Sequence, residues 1–474
     1  MDASDPEPQE ELTVTFMPAL YIQRRAWVFD VMRRERVTQV LDVGCGEGQI
    51  VECLCNAAPW LPLQSASDVE LDAASRREEQ DFDYKDDFIH VRTLHALDVS
   101  LDDLRYVLEV TAPPPPPTGN ETLPTAVRWE PLDVNVWHGG VQAYNPNFVD
   151  IECIVSTEVI EHLPPEVLPL FAPMLLGAYH PRLLLVTTPS YTFNDRFIAP
   201  DAPPGTRQGT ADPTGRTNRI FRHWDHKFEW TVQEFTEWCE EMAMQWGYEV
   251  EVSGVGVPRE KDPYERDEQL GRASQVAVFK RKEDEGMASM REKRCAELQT
   301  LTQARKEQAH ELLQSCQHNT DPRARQVGTL EDIGQAVLQR MDTYDEGHMT
   351  IHSLWYDHEI MLLCGGWLQR LIAAVKATAS LTLEKPEGKG ASDWVAQREG
   401  FVPKPVLQTS DTQPHDSHID ISPWTNTVNT GWGADNVLDL DEAGWNPWPA
   451  DEPWGASGVG WDIDSGPEVI AGIA

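Results

Sequence analysis

The segment Thr157-Glu-Val-Ile-Glu-His-Leu163 sets two carboxylates and an imidazole close together. A helical turn over it would place Glu158, Glu161 and His162 on one face. Such a trio suits a divalent cation, Mg²⁺ or Mn²⁺, with imidazole leaning toward Mn²⁺. A solvated acidic helix start has the same composition. A second histidine segment, Phe221-Arg-His-Trp-Asp-His-Lys-Phe-Glu-Trp230, lies outside the strand pattern and ahead of a helix. It makes His226 the candidate fourth ligand, with His223 its rival. A histidine hydrogen-bonded within a structural loop is the plainer reading of His226.

A second constellation is Asp42-Val-Gly-Cys-Gly-Glu-Gly48. Gly44, Gly46 and Gly48 sit where a backbone must approach a ligand closely, and Asp42 closes the preceding strand-like run. The pattern G-x-G-x-G matches the cofactor loop of class I methyltransferases; a dinucleotide-binding loop would read G-x-G-x-x-G. Asp98, ending a second strand candidate, is placed to accept hydrogen bonds from cofactor ribose hydroxyls. It stands equally well in the N-cap region of a helix opening at Ser100.

These residues need a scaffold that returns repeatedly to one edge. Strand-type runs at Thr38–Val43, Thr93–Val99, Leu132–Trp137, Ile151–Ser156 and Leu183–Thr188 alternate with helix-like stretches, which predicts a parallel, doubly wound α/β sheet. Glu249–Ser253 and Gln275–Lys280 follow a helix-like Thr231–Trp246 and complete a seven-stranded, Rossmann-like methyltransferase sheet with an antiparallel pair. The expected catalytic domain is 14–282, interrupted by an acidic insertion at about 64–90 and a proline-rich loop at about 111–125. A charged helical segment is expected over 283–320, a small helical accessory segment over 330–380 and a disordered tail over 405–474.

With 39 Lys and Arg against 78 Asp and Glu, the formal charge is −39, unfavourable for gripping phosphates overall. The acid concentrates at Asp2–Glu11, in the insertion and in the tail, so the local field elsewhere need not be negative. Eight cysteines without metal-type spacing point to a reducing compartment, cytoplasm or nucleus. No run of about 18 apolar residues and no signal-like start are present.

The combination of Phe16-Met-Pro-Ala-Leu-Tyr21, Gln23-Arg24, the glycine loop, Glu158-Val-Ile-Glu-His-Leu163, Thr187-Thr-Pro-Ser190 and Asp225-His-Lys-Phe-Glu-Trp230 resembles the small-RNA 2′-O-methyltransferases of the Hua-enhancer type, over roughly residues 14 to 282. The resemblance implies transfer of a methyl group from S-adenosylmethionine to the 2′-hydroxyl of a small RNA's 3′-terminal nucleotide, protecting that end in RNA silencing. It implies that Glu158, Glu161, His162 and His226 hold the metal, and that Asp42 with the three glycines holds the cofactor. The family usually carries two prolines near the first motif, whereas the second position here is Ala19. No double-stranded-RNA-binding module of the plant type is visible, so a single-domain, animal-like organisation and a monomeric catalytic unit are expected. His162 is a candidate proton acceptor, although metal ligation would occupy one ring nitrogen.

RNA contact is expected from Arg24, Arg25, Arg219, Arg222 and Lys227, the last three in a stretch with few acids. Tyr191 or Phe193 would stack on a terminal base, or belong to the core. In the tail, Trp432, Trp445, Trp448, Trp454 and Trp461, with Trp424, stand mostly beside Gly or Pro in an acidic background. They resemble the Gly-Trp repeats by which silencing partners engage Argonaute or Piwi proteins; a freely drifting extension is the alternative. The competing functions are a metal-dependent small-molecule O-methyltransferase of the catechol kind and a non-catalytic silencing scaffold.

Overall fold

Four of the five residues of Gln39–Val43 are buried, as a strand covered on both faces requires. This strand, β1, is the middle of a sheet continued by β2 (Thr93–Asp98), β3 (Leu132–His138), β4 (Cys153–Thr157) and β5 (Leu183–Pro189). In the computed structural model, which describes residues 11–62, 88–114, 127–203, 205–283, 285–305, 309–388 and 390–403, these five run parallel in the order β3-β2-β1-β4-β5. A small hairpin, β6 (Thr210–Ala211) and β7 (Ile220–Phe221), lies apart. Then β8 (Tyr248–Val255) and β9 (Ser274–Arg281) close the sheet, with β9 antiparallel to β5 and β8 antiparallel to β9. The expected doubly wound α/β architecture is therefore present. The strand order reverses between β1 and β4, and ligands in such sheets settle outside the strand carboxyl ends at that reversal.

The helix ahead of β8 shows why its sequence folds as it does. Thr231 accepts from Glu234 N while Glu234 reaches back to the Thr231 backbone, and Gly247 ends the helix Val232–Trp246 in the left-handed region at φ 78°. Both devices satisfy backbone groups that helix ends leave unpaired.

Two departures lie beyond residue 282. The stretch read as one helical segment forms the helix Glu285–Arg305 and then turns into β10 (Glu311–His318), an eighth strand antiparallel to β3. An uncovered β3 edge would leave a row of backbone donors and acceptors without partners. From Gln314 to His318 burial alternates residue by residue, a strand signal that the surrounding Lys, Glu, Gln and Ala conceal. The accessory segment also extends past the expected 380. Helices Leu330–Tyr344, Ile351–Trp355, His358–Leu363 and Leu368–Ala377 pack with a sheet of β11 (His348–Thr350), β12 (Leu381–Glu384) and β13 (Val395–Arg398) in the order β11-β13-β12.

This segment shares its core with the fold of the large sheet. Trp355 and Trp367 are fully buried in one cluster with Trp60 and Trp129. The indoles of Trp129 and Trp355 both donate to the Pro59 carbonyl, at 2.9 and 3.0 Å. A Cβ on Gly366, at φ 93°, would lie 2.7 Å from the Trp129 ring, so glycine is what lets the two parts close.

The expectations for most of the acidic insertion, for the proline run beyond Pro114 and for Trp432, Trp445, Trp448, Trp454 and Trp461 concern residues outside those described. All eight cysteines are free. Among the described residues no helix is long and apolar enough to cross a membrane.

Because Trp355 stitches the two parts, Trp355→Ala is expected to lower stability by about 3–5 kcal/mol, read as the shift in the chemical-denaturation midpoint of the whole chain in a single transition.

Candidate functional site

The glycine loop leaves β1 with three consecutive left-handed turns, φ 72° at Gly44, 50° at Gly46 and 85° at Gly48. Gly48 serves as N-cap of the helix Gln49–Cys55. A Cβ on Gly44 would meet Val159 Cγ2 at 2.4 Å, whereas one on Gly46 would meet nothing within 4 Å. The first glycine is thus fixed by packing, and the second faces open space.

The residue pressed on Gly44 belongs to the carboxylate motif. β4 ends at Thr157, and Glu158 follows at φ 54°, a conformation rare outside glycine. Only Ile160–His162 makes a turn of 3₁₀ helix. The expected single helical face carrying Glu158, Glu161 and His162 is therefore not formed; Glu158 sits before the turn because the chain bends sharply to lay Val159 over the loop. Thr187 secures the bend: Glu158 N donates to its carbonyl at 3.0 Å and its hydroxyl donates to Glu158 Oε1 at 2.7 Å. Strained residues of this kind cluster at functional sites.

Glu161 is entirely buried. Thr188 Oγ1 donates to its Oε2 at 3.0 Å, and Oε1 has no hydrogen-bond partner. Burial, reinforced by Glu158, pushes its pKa well above the usual carboxylate range. The Glu161 carbonyl accepts from Lys227 N at 2.8 Å, which ties the second histidine segment to the first. There the structure gathers three imidazoles: ligand nitrogens of His162, His223 and His226 lie within 4.8 Å of one another. His162 Nδ1 donates to Asp225 Oδ2 at 3.1 Å, and His226 Nδ1 to the buried Glu229 Oε1 at 2.7 Å. Burial, then the neighbouring His226, lowers the His162 pKa to about 4, so its ring is neutral at pH 7 and keeps a lone pair.

The expected quartet does not form one cluster. The imidazoles meet, with rival His223 among them; Glu158 Oε2 is engaged by Arg24 Nη1 at 3.0 Å, and Glu161 by Thr188. The donor set nonetheless fits a divalent cation. Two of the rings, His162 and His226, are oriented through Nδ1 by carboxylates, an arrangement typical behind metal ligands, and the buried Glu161 Oε1, next in sequence to His162, lacks a partner.

On the cofactor side, Asp42 is buried and its Oδ1 is unpartnered. Burial, then the charge of Asp98, raises its pKa to about 7. Asp98 accepts from Gly46 N and Ser100 N, both at 2.8 Å, while Ser100 caps the helix Leu101–Val110. The capping geometry and an acid at the loop coexist.

The basic residues have partners within the fold. Arg219 makes paired 2.8 Å contacts to Glu234 and lies 4.7 Å over Tyr191. Arg222 pairs with Glu11 at 3.0 Å and covers the Phe197 ring. Lys227 holds Asp225 at 2.9 Å, and Arg24 holds Glu158. Arg25 stands beside Tyr21, with no carboxylate partner among the described residues. Of the two stacking candidates, Phe193 is a core residue packed with Val14 and Ala273, and Arg207 as well as Arg219 lies over Tyr191. Trp224, not singled out in the sequence, is 62% exposed and stacked on His223. Asp225 and Glu229 were also missed as orienting groups, although both stand inside the Asp-His-Lys-Phe-Glu-Trp motif.

No family model matches the chain. Over 269 residues it is 26% identical to the small RNA 2′-O-methyltransferase of Arabidopsis thaliana, covering 56% of this chain and 23% of that one. The Schizosaccharomyces pombe protein of the same name is 24% identical over 56% of this chain and 61% of its own length. The Xenopus tropicalis one is 34% identical over 34% and 38%. A solved structure described as small RNA methyltransferase HEN1 aligns with a TM-score of 0.40 and 21% identity, over 67% of this chain and 30% of that one. The likeness read from the motifs is thus found in whole-sequence comparison, while the chain spans only part of the relatives it matches.

The raised pKa of Asp42 has a defined sign. A carboxyl held protonated in the fold but ionised in the unfolded chain costs stability as pH rises from about 4 to about 7. Asp42→Asn is therefore expected to melt above the wild type at pH 8 and to converge with it at pH 4, measured by calorimetry without cofactor.

Proposed function

We propose that this chain is an S-adenosylmethionine-dependent methyltransferase acting on the 2′-hydroxyl of the 3′-terminal nucleotide of small RNAs. The observation that supports this most directly is the contact of Val159 with Gly44, which places the carboxylate–histidine motif against the glycine loop. Methyl donor and methyl acceptor must meet at such a junction, because positioning supplies much of the barrier reduction when the sulfonium is already activated.

Asp42, Gly44, Gly46, Gly48 and Asp98 would hold the donor. The unpartnered Asp42 oxygen is available for a donor group of the ligand, and the space beside Gly46 admits one. Glu158, Glu161, His162 and His226 would hold Mg²⁺ or Mn²⁺. When bound there, such a cation would supply Lewis-acid chemistry, lowering the pKa of a ribose hydroxyl and fixing its orientation. The protein's own groups set the stage: Asp225 and Glu229 orient the two imidazoles, and Thr187 and Thr188 orient the two carboxylates. In the transfer the bond from the 2′-oxygen to methyl forms as the sulfonium–methyl bond breaks. The hydroxyl proton passes to a base: His162, whose Nδ1 is held by Asp225, can take it only through an Nε2 that is not bound to the cation, and otherwise the proton leaves to solvent. Arg24, Arg25, Arg219, Arg222 and Lys227 are proposed to meet the RNA backbone, which requires the phosphate to compete with Glu158, Glu234, Glu11 and Asp225 for four of them.

The catalytic unit is proposed to be monomeric, since the residues proposed for the donor and for the metal belong to one domain. The free cysteines support a reducing setting, the cytoplasm with the nucleus as the alternative. For the tail we propose contact with an Argonaute or Piwi protein through Trp432, Trp445, Trp448, Trp454 and Trp461, separate weak sites adding up by multivalency. Replacing these tryptophans with alanine is expected to abolish retention of such a protein in a pull-down, and unchanged retention rules the contact out.

With labelled S-adenosylmethionine and an RNA of small-RNA length, transfer is expected to fall to background for Glu158→Ala and His226→Ala, in chelator, and with a 2′-deoxy or 3′-phosphorylated end. Transfer to the 2′-deoxy RNA would refute terminal 2′-O-methylation; a catechol accepted in preference to RNA would favour the small-molecule reading.

A further inference from the structure

The turn His223-Trp-Asp-His226 folds back so that His226 N approaches the His223 carbonyl at 3.4 Å, and this brings both rings to His162. Ring centroids lie 5.0 Å apart for His223 and His226, 4.9 Å for His162 and His226, and 5.8 Å for His162 and His223. In each imidazole the Nδ1 atom is already committed: to Asp225 Oδ2 in His162, to Glu229 Oε1 in His226, and in His223 to the Asp225 backbone N–H, which donates to it at 3.2 Å. One ring nitrogen of each lies within 4.8 Å of the others. His162 and His226 keep a lone pair on Nε2, whereas the neutral His223 ring, with Nδ1 accepting, carries its proton on Nε2 and must give up the Asp225 N–H contact to ligate through it. Trp224 stacks on the His223 ring at an interplanar angle of 28°, which limits how far the ring can swing.

We propose that His223 is a third imidazole ligand of the divalent cation, making the site richer in nitrogen than two carboxylates and two histidines would be. This rests on the metal-assisted reading above and deepens it. A carboxylate occupying the place of His223 would suit Mg²⁺, a hard ion that prefers oxygen donors and keeps its waters. A third imidazole shifts preference away from Mg²⁺, modestly toward Mn²⁺ and more strongly toward the borderline Co²⁺, which accepts nitrogen readily. Of the three rings His223 is the exposed one, with His226 buried and His162 between, so it forms the solvent-facing side of the set.

The test is metal binding by the full chain, read by calorimetry for Mn²⁺ and Mg²⁺ and by the visible absorption of bound Co²⁺, independently of methyl transfer. His223→Ala is expected to weaken Mn²⁺ at least about tenfold, the scale on which even indirect metal contacts act. It is also expected to narrow the Mn²⁺ over Mg²⁺ preference and to change the Co²⁺ spectrum. His223→Asn retains an acceptor for the Asp225 N–H, so it separates a loop role from ligation: it should lose Mn²⁺ affinity as His223→Ala does. Wild-type Mn²⁺ affinity and Co²⁺ spectrum in His223→Asn, with binding lost in His162→Ala and His226→Ala, overturns the third ligand and leaves the metal reading intact. Unaltered binding in all of these variants overturns both.

Discussion

The close approach of Val159 to Gly44 is the constraint from which the rest of the site follows. A Cβ at Gly44 would stand 2.4 Å from the valine methyl, well inside van der Waals contact. Only glycine lets the turn after β4 close over the loop after β1. The two strands are neighbours in the sheet, and their carboxyl ends flank the reversal of strand order, so the packing sits where doubly wound sheets place ligands. Closing it forces Glu158 into the left-handed region, and the Thr187 hydrogen bonds offset that cost. The glycine loop and the carboxylate–histidine motif, remote in sequence, meet through this contact.

Around it the fold manages charges that would otherwise be costly to bury. Glu161 keeps one oxygen without a partner in a fully buried position, and Asp42 does the same on the cofactor side. Unpaired buried acids respond by holding protons, as the raised pKa values of both show. Such a cost persists in a fold where a ligand repays it, since a cation beside Glu161, or a hydrogen-bond donor beside Asp42, converts the same oxygen into an attractive site. The histidines are treated in the opposite way: Asp225 and Glu229 fix their Nδ1 atoms and so define which nitrogen each presents.

The segment beyond residue 320 is joined to the fold of the large sheet through indoles. Trp60 and Trp129 come from the connections around β2 and β3, yet they belong to the same buried cluster as Trp355 and Trp367. β10, just ahead of this segment, covers the β3 edge of the sheet, and the segment itself shares a core with the fold. Its physical role is to finish the fold on the side away from β8 and β9.

The sequence by itself determined the strand–loop–helix at the glycines, the five parallel strands and closing pair, and the helix after Thr231. Each is a local signal: apolar runs of strand length, a capping box, glycines at left-handed positions. It also set out the candidate residues, Glu158, Glu161, His162 and His226, because they stand in two short motifs. It missed β10, whose alternation is weak and whose reason for existing is an open edge on another strand. It misjudged the geometry of Glu158, whose conformation answers to Gly44 more than a hundred positions away. Which histidines meet, which carboxylates orient them, and that Arg219, Arg222 and Lys227 already hold acidic partners were decided only by tertiary structure. Those are pairwise distances between side chains from separate elements, and no spacing along a chain encodes them.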